Sequence, residues 1–113
     1  MKYKKFFGKG MQYIKESNPD MFETIVRLNE SVFTGKILDY KTQKLIAIGI
    51  VASMGDEKAI EMQMKSGMIE LNITKEEIMD ALQVVLLTAG MPVFIKSVNI
   101  LNNISFDEKL LKI

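Results

Sequence analysis

Residues 45–52 read Leu-Ile-Ala-Ile-Gly-Ile-Val-Ala, eight consecutive apolar positions bounded by Asp39 and Gly55. The run is far short of the about 20 residues that span a bilayer. Asp39 has the chemistry of an N-cap and Gly55 that of a helix stop, so the segment predicts a helix from Asp39 to about Met54. A helix apolar on every side is normally buried all round. Such a helix is expected to lie centrally, packed by the others.

Those others announce themselves by punctuation. Residues 3–15 form a candidate amphipathic first helix, interrupted by Gly8 and Gly10. Asn18-Pro19 supplies an N-cap followed by proline at the first helical position. From there Phe22, Ile25, Val26, Asn29, Val32 and Phe33 share one 3.6-period face, and Gly35 ends the helix. A further helix is predicted from near Asp56 to Leu71 or Asn72, with Ala59, Ile60, Met64, Met68 and Leu71 on its apolar side. Thr74 and Glu77 have capping-box spacing and open a helix whose stripe is Ile78, Leu82, Val85 and Leu86. Ala89-Gly90-Met91-Pro92 breaks the chain before a helix carrying Phe94, Val98 and Leu101. Ser105 and Glu108 repeat the capping-box spacing ahead of a short last helix. Connections are short and no repeat or linker divides the chain, so residues 1–113 are expected to form one all-α domain, a compact bundle of about six helices.

Composition then narrows the chemistry. The 113 residues contain 0 Cys and 0 His, which removes thiol redox chemistry, imidazole acid–base catalysis and the usual zinc ligands. No metal or cofactor is called for. Fifteen basic and 14 acidic residues in mixed order give a net charge of +1, which argues against a nucleic-acid partner. The basic cluster Lys2, Lys4, Lys5 and Lys9, interleaved with Tyr3, Phe6 and Phe7, reads as a solvated amphipathic turn. Arg27 is the only arginine, so bidentate clamps on phosphate or carboxylate are scarce. The lysine-rich start runs into Gly8-Lys9-Gly10, with no secretory leader, and a cytoplasmic protein without membrane association is expected. Hydrophobic residues make up 48% of the chain, including nine Met. A domain this small cannot hide them all, so subunit interfaces are expected.

Several stretches together resemble the carboxymuconolactone decarboxylase family, which includes the alkyl-hydroperoxidase D-like proteins. SVFTGKILDYKTQKLIAIGI (residues 31–50) has the family's bulky residue and glycine, then Leu-Asp, Lys-Thr and a helix of small and branched apolar residues. NITKEEIMDALQVVLLTAGMP (residues 72–92) is similar to its Thr-capped helix and closing Gly-x-Pro turn, and FIKSVNIL (residues 94–101) to the helix that follows. The likeness covers roughly residues 19–101 and implies a helical scaffold assembled as a homo-oligomer, a trimer or hexamer. Redox members carry Cys-x-x-Cys-x-x-x-His at the start of the third helix of the resemblance. Counted forward from Lys41-Thr42, those positions are Asp56, Ala59 and Gln63; counted back from Thr74 they are Glu57, Ile60 and Met64. Neither count meets a thiol or an imidazole. The family's Glu on the preceding helix falls at Lys44, and its Tyr before the Ala-Gly-x-Pro turn at Thr88. A hydroperoxidase activity needs a thiolate, so the resemblance does not extend to that reaction.

What remains is acid–base chemistry, for instance a lyase-type reaction on a small carboxylate or lactone. That reaction needs a site for developing enolate charge and a proton donor. Lys44, Glu57 and Glu61 are the candidate site residues. Lys44, if desolvated, would attract a carboxylate or enolate oxygen, and Glu57 and Glu61, four residues apart, would share a proton if buried. Each has a plainer reading: Glu57 favoured by a helix start, Glu61 paired with Lys65, Lys44 reaching water along its stem. Met54, Met62, Met64 and Met68 would suit a soft metal such as Cu(I), though spaced methionines in helices are usually core. The alternative function is a non-catalytic oligomer that binds a small ligand or a partner on the same scaffold.

Overall fold

A computed structural model describes residues 8–105 and contains six helices and no strand among them. The lysine-aromatic cluster at residues 2–7 and the capping box predicted at Ser105 and Glu108 lie outside the described residues, wholly or in part. The chain forms two compact units, Met1–Gln43 and Lys44–Ile113.

The first unit holds α1 (Gly8–Ser17) and α2 (Pro19–Val32). Asn18 makes the joint between them. Its backbone N–H donates to Ile14 O at 2.8 Å, and its side chain accepts from Met21 N at 3.2 Å, capping α2 ahead of Pro19. Phe22 and Val26, one turn apart on α2, are buried, and the Lys15 ammonium of α1 lies 5.6 Å from the centre of the Phe22 ring. After Phe33 the loop is tied by Gln43, which donates to Val32 O at 2.9 Å and accepts from Gly35 N at 3.2 Å. Asp39 accepts from Thr42 N at 2.8 Å and starts α3 (Tyr40–Met54).

The second unit holds the rest of α3 with α4 (Glu57–Leu71), α5 (Lys75–Ala89) and α6 (Met91–Asn103). Asp56 caps α4 by accepting from Ala59 N at 3.0 Å. Asn72 in the left-handed conformation ends α4, and Ile73 drops into the core. The capping box forms as its spacing predicts: Glu77 N donates to Thr74 Oγ1 at 3.0 Å and Thr74 N to Glu77 Oε1 at 2.9 Å. Gly90 closes α5 and opens α6 at φ 100°, a conformation that a side chain would strain. Ile48, Ala52, Ile60, Met64, Ile78, Leu82, Val85, Ile100 and Leu101 build the core, with α6 packed along α5 and α4.

One expectation fails. The apolar run on α3 is not enclosed: Lys44, Ile48 and Ala52 form a buried line, while Ile46 and Ile50 remain 47% and 55% exposed. Residues four apart stack on one side of a helix, so the packed neighbours cover that side and leave the other open.

Candidate functional site

The site grows from the way α4 divides its circumference. Ile60, Met64 and Gly67 form the ridge that faces the core, all buried. At about 100° per residue, Gln63 and Glu70 fall on one flank of that ridge and Glu57 and Glu61 on the other. Gln63 and Glu70 are half-buried, and Ser66 beside them is buried; Glu57 and Glu61 are exposed.

Lys44 approaches from α3. It is 6% exposed, so the plainer reading of a lysine stretched to water does not hold. Its stem is admitted by the missing side chain at Gly67: a Cβ there would stand 3.2 Å from Lys44 Cγ and 3.0 Å from Ile73 Cδ1. The stem packs as an apolar chain, and the ammonium at its end needs polar company. It finds Gln63, donating from Nζ to Oε1 at 2.9 Å. These are the two positions at which the forward count set the family's Glu and His. Met64, the alternative from the backward count, is fully buried in the core.

The other sequence candidates lie elsewhere. Glu57 sits in the first turn of α4, where the helix dipole favours a carboxylate. Glu61 pairs with Lys65 at 3.7 Å across one helical turn, with both side chains well exposed. Around the helix they stand about 120° and 160° from Gln63. The structure therefore joins Lys44 to Gln63 and does not bring Glu57 or Glu61 to that pair. The four methionines share no environment either, since Met64 is sealed in the core and Met54 is 73% exposed.

Sequence reasoning passed over Gln63 as a polar partner, and over Ser66 and Glu70. Their spacing of three and seven residues was the available signal, a polar stripe running beside the apolar one. Ser97 on α6 was also missed; its hydroxyl is buried and accepts or donates no hydrogen bond among the described residues.

A model of the carboxymuconolactone decarboxylase family matches residues 19–103, three-quarters of the chain. The chain belongs to the carboxymuconolactone decarboxylase family. Two relatives come from Methanocaldococcus jannaschii. Uncharacterized protein MJ0742 is 65% identical over 104 residues, covering 92% of this chain and 100% of its own length. Uncharacterized protein MJ1511 is 40% identical over 98 residues, covering 87% of this chain and 91% of its own. In this member of the carboxymuconolactone decarboxylase family, Lys44 stands where the resemblance puts a carboxylate, and the imidazole position falls at Gln63 by the forward count and at Met64 by the backward one. Among the described residues no helix is long and apolar enough to cross a membrane.

Proposed function

We propose that this member of the carboxymuconolactone decarboxylase family holds a small carboxylate or lactone beside Lys44 and works without thiol chemistry. The observation that carries the reading is the Lys44 ammonium, 6% exposed and held 2.9 Å from Gln63. A cation withdrawn from water attracts a carboxylate, or the oxygen of a developing enolate, more strongly than a surface lysine does. Peroxide reduction by a thiolate is not open to a sequence with 0 Cys.

Family membership favours an acid–base, lyase-type reaction at this site. In that reading Glu57 and Glu61 transfer the proton to a ligand held at Lys44 of a neighbouring copy, since within one chain they stand about 120° and 160° around α4 from Gln63. The exposure of both carboxylates favours a second reading, an oligomer that binds its ligand or partner without turning it over. In both readings the chain acts as one cytoplasmic domain, supported by a family match that runs through both compact units. It assembles as a homo-oligomer, trimer or hexamer, a reading supported by the open apolar residues Ile46 and Ile50 on α3 and Val84 and Leu87 on α5. Light scattering tests the assembly, and a monodisperse monomer contradicts it.

A panel of small lactones and keto acids, followed by NMR for binding and for product, separates the readings of the site. Turnover that falls in Glu57→Gln and Glu61→Gln supports the lyase. Saturable binding with no product, abolished by Lys44→Met, supports the binding protein. Absence of binding across the panel refutes the role of Lys44 in both.

A further inference from the structure

We propose that Ile37, at the tip of the loop between α2 and α3, seats in a notch at Gly49 on a second copy of this chain. The inference rests on the homo-oligomer reading and names the contact that would build the assembly.

Ile37 is 96% exposed and its neighbour Leu38 49%. One bare apolar side chain on a surface is ordinary, but the loop beneath this one is pinned at both ends. Gln43 donates to Val32 O at 2.9 Å and accepts from Gly35 N at 3.2 Å. Gly35 has φ 70°, and a Cβ there would stand 3.0 Å from Tyr40 N, so the turn requires glycine. The Phe33 and Tyr40 rings, one from each end of the loop, lie with their centres 5.5 Å apart. Asp39 is engaged by Thr42 N at 2.8 Å. A side chain already held in place loses little freedom when it is covered, which makes Ile37 a pre-organised anchor.

The notch lies along the seam of α3 and α5. Among the described residues, a Cβ at Gly49 would meet no other element within 4 Å except Val85 Cγ2 at 3.9 Å. At about 100° per residue, Ile46 and Ile50 stand on one side of Gly49 and the core residue Ile48 on the other. On α5, Val84 and the core residue Leu82 likewise stand on opposite sides of Val85. With Ile48 and Leu82 inside, Ile46, Ile50 and Val84 share the outside of the seam, 47%, 55% and 60% exposed. They surround a recess floored by the bare backbone of Gly49.

Charge indicates a second copy as the occupant. Lys36, beside the knob, is exposed; Asp80 and Glu76, one and two turns before Val84, are exposed as well. The loop thus offers an apolar tip with a cation, and the notch an apolar recess with carboxylates at its rim. Opposite charges around an apolar contact set its register and select its partner. Knob and notch are unlike surfaces, and each copy carries one of each. Such a head-to-tail contact repeats around a closed ring when the rotation allows it, as a trimer or hexamer requires.

Sedimentation velocity on the full chain tests the contact. Ile37→Asp and Gly49→Leu should each raise the dissociation constant of the assembly at least about thirtyfold, the loss expected of a central apolar anchor. Ile37 is bare, so its variant should melt as the wild-type chain does. Val84→Lys, on the open rim, serves if Gly49→Leu folds poorly. One variant keeps the notch and the other keeps the knob, so mixing them at high concentration should yield a heterodimer that cannot close into a ring. A variant at either position that retains the wild-type mass, or a mixture without heterodimer, refutes the contact and leaves the homo-oligomer standing. A wild-type chain that is a monodisperse monomer refutes both.

Discussion

The two flanks of α4 carry similar residues and have different fates. One holds Gln63, Ser66 and Glu70, the other Glu57, Glu61 and Lys65; both are polar, helix-spaced and adjacent to the same buried ridge. The first is buried or half-buried and receives Lys44, whereas the second faces water and forms a 3.7 Å surface pair. A buried ammonium costs several kcal/mol unless its hydrogen bonds are met, while an exposed i,i+4 pair contributes only a few tenths. The difference teaches that polar spacing identifies flanks, and that a neighbouring helix decides which flank becomes a site. Here the decision is made by a long side chain on α3 opposite a residue with none on α4.

Substitutions along α4 should rank accordingly. Met64→Ala, on the fully buried ridge between the flanks, is expected to cost about 2–5 kcal/mol in urea denaturation and sets the upper end of the scale. Gln63→Leu takes one acceptor, Oε1 at 2.9 Å, from a buried ammonium and should cost about 1.5–3 kcal/mol. Adding Lys44→Met to that variant should recover part of the loss, because the charge leaves with its need for a partner. Gly67→Ala sharpens the contrast through its sign. In an open helix the change stabilises by about 1 kcal/mol, but here the new Cβ would meet Ile73 Cδ1 at 3.0 Å and Lys44 Cγ at 3.2 Å. A net loss of up to about 2 kcal/mol is expected. Glu61→Gln, on the open flank, should move stability by less than about 0.5 kcal/mol. If Glu61→Gln and Gln63→Leu proved equal, the distinction between the flanks would dissolve.

Acid should release the cap of α3 only below the ordinary carboxylate range. Hydrogen bonds from Thr42 hold the Asp39 carboxyl below its ordinary value of 3.8, outweighing an opposing desolvation that exceeds the help of the Lys41 charge. Its folded value is thus lower than its unfolded one. The cap is fully in force above the unfolded value and is lost as pH falls through the folded one. An NMR titration of the Thr42 amide should show a transition below pH 3.8 that Asp39→Asn removes.

Much of the fold was legible because its signals are local. Asn18-Pro19, Asp39, Asp56, Thr74 with Glu77, and Gly90 each end or begin a helix through atoms within four residues of themselves, and each does so in the structure. The order of those signals also carried the family resemblance. The covering of α3 was not legible, since the Ile46 and Ile48 side chains look alike in sequence and differ only in which has a neighbour. The pairing at the site was hidden for the same reason. Nothing near Gln63 in sequence names Lys44, and nothing near Lys44 announces the gap at Gly67, 23 positions later. Glu57 and Glu61 drew notice by their charge, which is what keeps them at the surface.

The central claim is that the Lys44 ammonium sits inside the second unit, fastened to Gln63. Nitrogen-15 NMR of the lysine Nζ groups reads this directly. A Lys44 signal whose protons exchange slowly with water, and which loses that protection in Gln63→Leu, is the predicted result. A Lys44 signal that exchanges as fast as that of exposed Lys58, unchanged when Gln63 is replaced, would contradict it.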